Sequence, residues 1–368
     1  MKPDISPLRI LVKALCLFVI VNIVYALIDP QGSIVFGYNA LFPGRTRLPF
    51  IGGGGPYSVA VDDVDAMFAS HAISVRKEPE EYRVVLIGDS SIWGEGLGAH
   101  EMISEQWNTL NIPCGDEVIK TYNLGYPHPS VIKDLVILDQ AMEYDPDLIV
   151  WFVTLNTLMS QRINPFLVAN RERVAELLNN YEITFQQSEQ FDNQPDFYEK
   201  TLMGQRSDLA RQVRLEMLGI LWAATGLDAN VPGGGSPPDF KVTDNPRYRG
   251  MQPPDSLKDM LLFSALTAGH AMADSIPVLI VNEPIYVASG VNATVRYNVN
   301  YPRWAYDEYR QNITLQMQNS EWNYLDLWNV IPPEYFLEPG LHLGVEGERL
   351  LIEQINPTLQ SLACNARP

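Results

Sequence analysis

Basic side chains are scarce in this chain. Its 368 residues include 26 Lys and Arg against 44 Asp and Glu, a formal net charge of -18, and no dense basic run. Such a surface repels phosphate backbones and anionic headgroups, which argues against nucleic acid as a partner and against polybasic attachment to lipid. Cysteine is scarcer still, with only Cys16, Cys114 and Cys364. None forms a Cys-x-x-Cys pair, so zinc-ribbon and dithiol redox motifs are absent. His71, His100, His128, His270 and His342 are scattered, and no two stand at the spacing of a helical metal pair. Neither a metal nor another cofactor is called for. There is no internal repeat. With 46% hydrophobic and 19% charged residues, the composition is that of an ordinary globular protein, long enough for one large domain or two smaller ones.

Long apolar runs are absent except for one at the N-terminus. Ala14 to Ile28 is free of charge, and counting from Leu8 gives 21 residues, with Arg9 and Lys13 able to snorkel to the interface. Basic residues ahead of the run and Asp29 behind it orient the N-terminus to the cytoplasm and the remainder outside. A cleavable signal peptide is the rival reading. Small residues spaced for cleavage are not evident around Tyr25, Ala26 and Leu27, which favours an uncleaved anchor. In an exported chain, Cys114 and Cys364 could pair.

Three regions follow: an anchor over 1–30, a loop-rich extension over 31–80 punctuated by Gly52 to Pro56, and a strand–helix domain over 81–368. Short apolar runs predict parallel strands at 84–87, 118–122, 148–153, 277–281 and 324–327, the first and third of them buried. Helical patterns fall at 101–110, 130–144, 256–272, 303–318 and 345–364. Residues 157–252 break the rhythm. They hold helical patterns at 171–181 and 206–224 and a Gly/Pro-rich stretch at 231–238, and they read as an insertion, part lid and part loop. The fold class is therefore α/β: a doubly wound, flavodoxin-like sheet of five parallel strands in an α/β/α sandwich.

Chemistry concentrates where strands end. The first strand exits through Gly88 into Asp89-Ser90, at the carboxyl edge where open α/β sheets bind ligands. A serine delivered there is a candidate nucleophile, with Asp89 tying down the turn. The second strand ends at Asn123-Leu-Gly125, where a glycine lets backbone approach a substrate and offer an N–H. The third ends at Thr154-Leu-Asn156, a side-chain amide donor. Beyond the last strand stands Glu338-Pro-Gly-Leu-His342, with Leu343 and Gly347 after it. Hydroxyl, base and oxyanion donors are the parts acyl transfer requires. His128 stands near enough in sequence to Gly125 to contact a substrate, whereas Asp326 reads as structural.

In block order these residues resemble the SGNH hydrolase superfamily, the GDSL-like esterases and lipases. The resemblance covers about residues 80–364 apart from the insertion. It implies that Ser90 is the nucleophile, that Gly125, Asn156 and the Ser90 N–H form the oxyanion hole, and that His342 is the base. Two blocks depart from pattern. Thr157 stands where the family has Asp after the asparagine, and Pro339 stands where it keeps the acid, three residues before the histidine. Glu338, four before, is the candidate acid; the alternative is a Ser–His dyad oriented by a backbone carbonyl. Anchored, outward-facing members of the superfamily act on acyl groups of cell-surface polysaccharide, so an O-acylated glycan or another acyl ester is the expected substrate. An O-acyltransferase for such polysaccharide, or a glycan-binding protein without activity, are the other readings.

Overall fold

The computed structural model describes residues 6–28, 44–50, 62–159, 163–185, 188–192, 196–225 and 242–364. Six strands make one sheet: β1 (Glu81–Ile87), β2 (Pro113–Cys114), β3 (Glu117–Asn123), β4 (Leu148–Val153), β5 (Val278–Asn282) and β6 (Asn323–Asp326). Their order is β2-β3-β1-β4-β5-β6. Every pairing is parallel except β2 with β3. The five parallel strands, counted along the chain, thus lie in the order 2-1-3-4-5 of a flavodoxin-like sheet. The order in which strands are added reverses between β1 and β4, and ligands bind outside the carboxyl ends of strands at such a switch point. The sixth strand was not expected. Two residues carry too short a pattern to register in sequence, and β2 exists only as an antiparallel edge on β3.

All of β1 and β4 is buried, and alternate side chains enter different cores. Val85, Ile87, Ile149, Trp151 and Ile280 pack with the helices Val64–Ser70, Val131–Met142, Phe263–Ala273 and Arg303–Ser320. Val84, Leu86, Val150, Phe152 and Leu279 pack with Ile103–Thr109 and Val345–Cys364 on the other face. Helices on both faces make the α/β/α sandwich. Ser130 caps Val131–Met142, its hydroxyl accepting the Lys133 N–H at 3.3 Å.

Some expectations shift. The expected helix over 256–272 is confined to Phe263–Ala273, preceded by a short 3₁₀ turn at Lys258–Met260. Residues expected to be loop in the extension instead enter the core: Leu48, Val64, Met67, Phe68 and Ile73 are all buried against the sheet. So do Phe166, Leu167, Val174 and Leu177 from the segment expected to be lid and loop. The glycine run at 52–56 and the stretch at 231–238 lie outside the described residues. Pro7–Ile28 is a continuous helix of 22 residues whose leucines, isoleucines and valines are exposed, long enough to cross the hydrocarbon layer. Cys114 and Cys364 are joined as a disulfide across 250 residues, tying the edge strand to the last helix.

Candidate active site

The turn after β1 is built from its first residues. Gly88 packs against Ile92, where an added Cβ would stand 2.6 Å from Ile92 Cγ1. Asp89 Oδ1 accepts the Ser91 N–H at 3.0 Å and caps the short helix Ser90–Trp93. Gly94, at φ 84°, ends that helix in the left-handed conformation glycine adopts without strain. Ser90 is half-buried at the first helical position, where a backbone N–H has no intrahelical acceptor.

The imidazole beside it arrives from 252 residues away. Ser90 Oγ lies 2.9 Å from His342 Nε2. The His342 loop is pinned at several points: Leu337 N–H donates to His342 O at 2.8 Å, and Tyr286 N–H donates to Gly340 O at 2.8 Å. Within it the Gly340 N–H donates to Glu338 O at 2.8 Å, a γ-turn centred on Pro339. That turn absorbs the extra residue and folds Glu338 back over the histidine. Glu338 Oε1 then accepts from the N–H groups of Leu341 (2.7 Å) and His342 (3.2 Å) and stands 3.4 Å from His342 Nδ1. A Cβ at position 340 would stand 2.3 Å from that carboxylate, so a larger residue there would push the Glu338 side chain aside. The carboxylate is within ion-pair reach of the imidazole but longer than a direct hydrogen bond. On the opposite side, Glu95 Oε2 lies 3.5 Å from His342 Nε2, half in solvent.

The second expected donor is arranged differently. The Gly125 N–H donates to Asn123 Oδ1 at 3.0 Å rather than facing open space. A Cβ on Gly125 would stand 2.5 Å from Trp93 N and 2.8 Å from Ile92 C, so this glycine lets one backbone rest on another beneath the serine. Asn123 completes the seam, donating from Nδ2 to Ile92 O at 2.6 Å. Asn156 sits past β4 in the helix Leu155–Leu158, half-buried, with Oδ1 accepting from Tyr248 Oη at 2.7 Å. Thr157, the next residue, receives the Thr154 N–H on its hydroxyl at 3.3 Å, as the third residue of a capping box with Thr154.

Sequence reasoning passed over Lys133. It sits on an apolar helix and is fully buried, and its ammonium donates to Gly88 O and Tyr126 O, each at 2.7 Å. One cation therefore ties the exits of β1 and β3 together, 2.7 Å from Asp134 Oδ1. Its only signal in sequence is a lysine amid apolar helical residues. Glu283 was also missed; it lies directly after β5, fully buried, and accepts from Ser91 Oγ. Burial, and then the Asp89 charge, push its carboxyl well above the ordinary range.

Three of the other histidines pack against neighbouring groups. Burial lowers His71 to about 4, and its Nδ1 accepts the Ile73 N–H at 3.1 Å. His128, at φ 80°, meets the Phe50 ring edge-on at 5.7 Å. His270 stacks on Trp322 at 4.5 Å. Asp326 binds Arg310 at 2.7 Å and Asn282 at 2.7 Å, a structural role. Among the described residues no group of His, Cys, Asp and Glu is placed to hold a metal ion.

No family model matches the chain, and no curated protein matches it. Solved structures do align with it. A carbohydrate acetylesterase family member from Sinorhizobium meliloti is 11% identical with a TM-score of 0.34, covering 76% of this chain and 99% of its own. A lipase/acylhydrolase from Enterococcus faecalis is 14% identical with a TM-score of 0.36, covering 76% and 96%. A peptidoglycan O-acetylesterase is 11% identical with a TM-score of 0.29, covering 68% and 49%. Likeness this distant carries no functional weight; the site must be judged on its own geometry.

Proposed function

We propose that this chain is a serine esterase of the SGNH type, working through an acyl-serine intermediate. The observation that carries this reading is the 2.9 Å contact between Ser90 Oγ and His342 Nε2, with the Glu338 carboxylate on the far imidazole nitrogen. To accept a proton, Nε2 must be bare, so the ring hydrogen belongs on Nδ1, facing Glu338. His342 then takes the Ser90 proton as Oγ attacks the ester carbonyl. The tetrahedral oxyanion is held by the Ser90 N–H and the Asn156 amide. The Gly125 N–H, shared with Asn123, would be a third donor. Collapse expels the alcohol, protonated by His342, and water activated by the same imidazole releases the acid.

Two observations support an extracytoplasmic, anchored enzyme: the exposed apolar helix Pro7–Ile28 and the Cys114–Cys364 disulfide, a bond that persists in oxidising compartments. For an enzyme anchored outside the cytoplasm, O-acylated cell-surface carbohydrate is the substrate class we favour. The test is labelling of the folded protein by a fluorophosphonate probe, alongside hydrolysis of a simple acetyl ester. Wild-type protein is expected to label and turn over, and Ser90→Ala to do neither. Unlabelled wild type, or full turnover by Ser90→Ala, would overturn the reading.

A further inference from the structure

We propose that Tyr248, with Arg249 beside it, is the positioning element for the Asn156 amide; this rests on the reading of Asn156 as an oxyanion donor. Tyr248 and Met251 exchange both backbone hydrogen bonds at 2.9 Å, closing a tight turn over Arg249 and Gly250. Both central residues are left-handed, at φ 49° and 87°. Turns of this kind favour Asn-Gly. An arginine at the first central position carries steric strain that asparagine or glycine would relieve, so its side chain needs a task.

That task is visible at Asn156. Tyr248 Oη donates to Asn156 Oδ1 at 2.7 Å, and an Arg249 guanidinium nitrogen lies 3.4 Å from the same oxygen. A guanidinium can only donate, so the amide atom facing it must be oxygen. The NH2 group is thereby turned the other way, and among the described residues it donates to no protein acceptor. Neither partner belongs to the helix carrying Asn156; they reach it from 92 and 93 residues further along the chain. The Tyr248 ring is itself held, buried against Tyr301, whose hydroxyl donates to Thr154 Oγ1 at 3.2 Å. Burial raises the Tyr248 phenol far above neutrality, keeping it a donor at every working pH. Oxyanion donors contribute only insofar as they are oriented before reaction, and this turn supplies the orientation.

The test is a double-mutant cycle on the full chain with an acetyl ester. Tyr248→Phe is expected to lower kcat about tenfold with KM within twofold, as for a group acting only on the transition state. In an Asn156→Ala background the same change is expected to alter kcat less than twofold. Equal losses in both backgrounds, or none in the wild type, would overturn the proposal. Arg249→Gly, which also relieves the turn, is expected to raise Tm while lowering kcat; an unchanged kcat would remove Arg249 from the assignment. A crystal structure of Tyr248→Phe gives a readout independent of turnover. The Asn156 carboxamide is expected to leave its orientation there, and an unmoved amide would sink the proposal even if Ser90→Ala had upheld the esterase.

Discussion

Glu338 is an acid divided between two tasks. Its Oε1 serves two backbone N–H groups of its own loop and also faces the imidazole, at 3.4 Å. Charge already committed to backbone donors stabilises an imidazolium less than a carboxylate bonded to the ring alone. We therefore expect Glu338→Gln to lower kcat about tenfold, against the four decades a fully engaged triad acid can contribute. Steady-state kinetics on the acetyl ester measure this directly. A loss of a thousandfold or more would show that the carboxylate closes on His342 when substrate binds.

At the scale of elements, the site depends on keeping two strand exits in register. β1 delivers Ser90, and β3 delivers the glycine on which the nucleophile turn rests; Lys133 binds the carbonyls of both exits. It also stands 2.7 Å from Asp134, whose carboxyl burial raises even though the ammonium favours its charge. Replacing this lysine by methionine keeps much of the volume but strands two carbonyls and a carboxylate in the core. Breaking a buried pair in this way costs about 3–5 kcal/mol. Lys133→Met is expected to lower the unfolding free energy from urea titration by that amount and to slow fluorophosphonate labelling of whatever protein remains folded. Unchanged stability would mean that water replaces the ammonium.

For the molecule as a whole, buried acids without cations shape its stability. Glu348 is fully buried in the last helix, and burial pushes its carboxyl up to about 8 from an ordinary 4.5. Between those values the folded chain holds a proton that the unfolded chain has lost. Stability therefore falls as pH rises through that window and levels off above about 8. The slope from one such group is at most about 1.4 kcal/mol per pH unit. Glu283 is shifted in the same direction. Glu348→Gln cannot ionise, so its urea midpoints at pH 5, 6, 7 and 8 are expected to decline less steeply than those of the wild type. A parallel decline would place the proton elsewhere.

The parallel strands, the order of the chemical groups along the chain and the apolar first helix were all legible in the residues themselves. Their causes are local: apolar runs of strand length, a glycine at the exits of β1 and β3, and an apolar stretch that spans a bilayer once Arg9 and Lys13 snorkel. Even Ser90 and His342 could be paired without coordinates, because strand ends in a parallel sheet share one edge. Other features had no local cause to read. The clamp on Asn156 depends on a tyrosine from a distant turn, and the tie between the exits of β1 and β3 on the buried ammonium of Lys133. Burial decided these, since a polar group removed from water must find a partner in space, and neighbours along the chain do not reveal which one it will be.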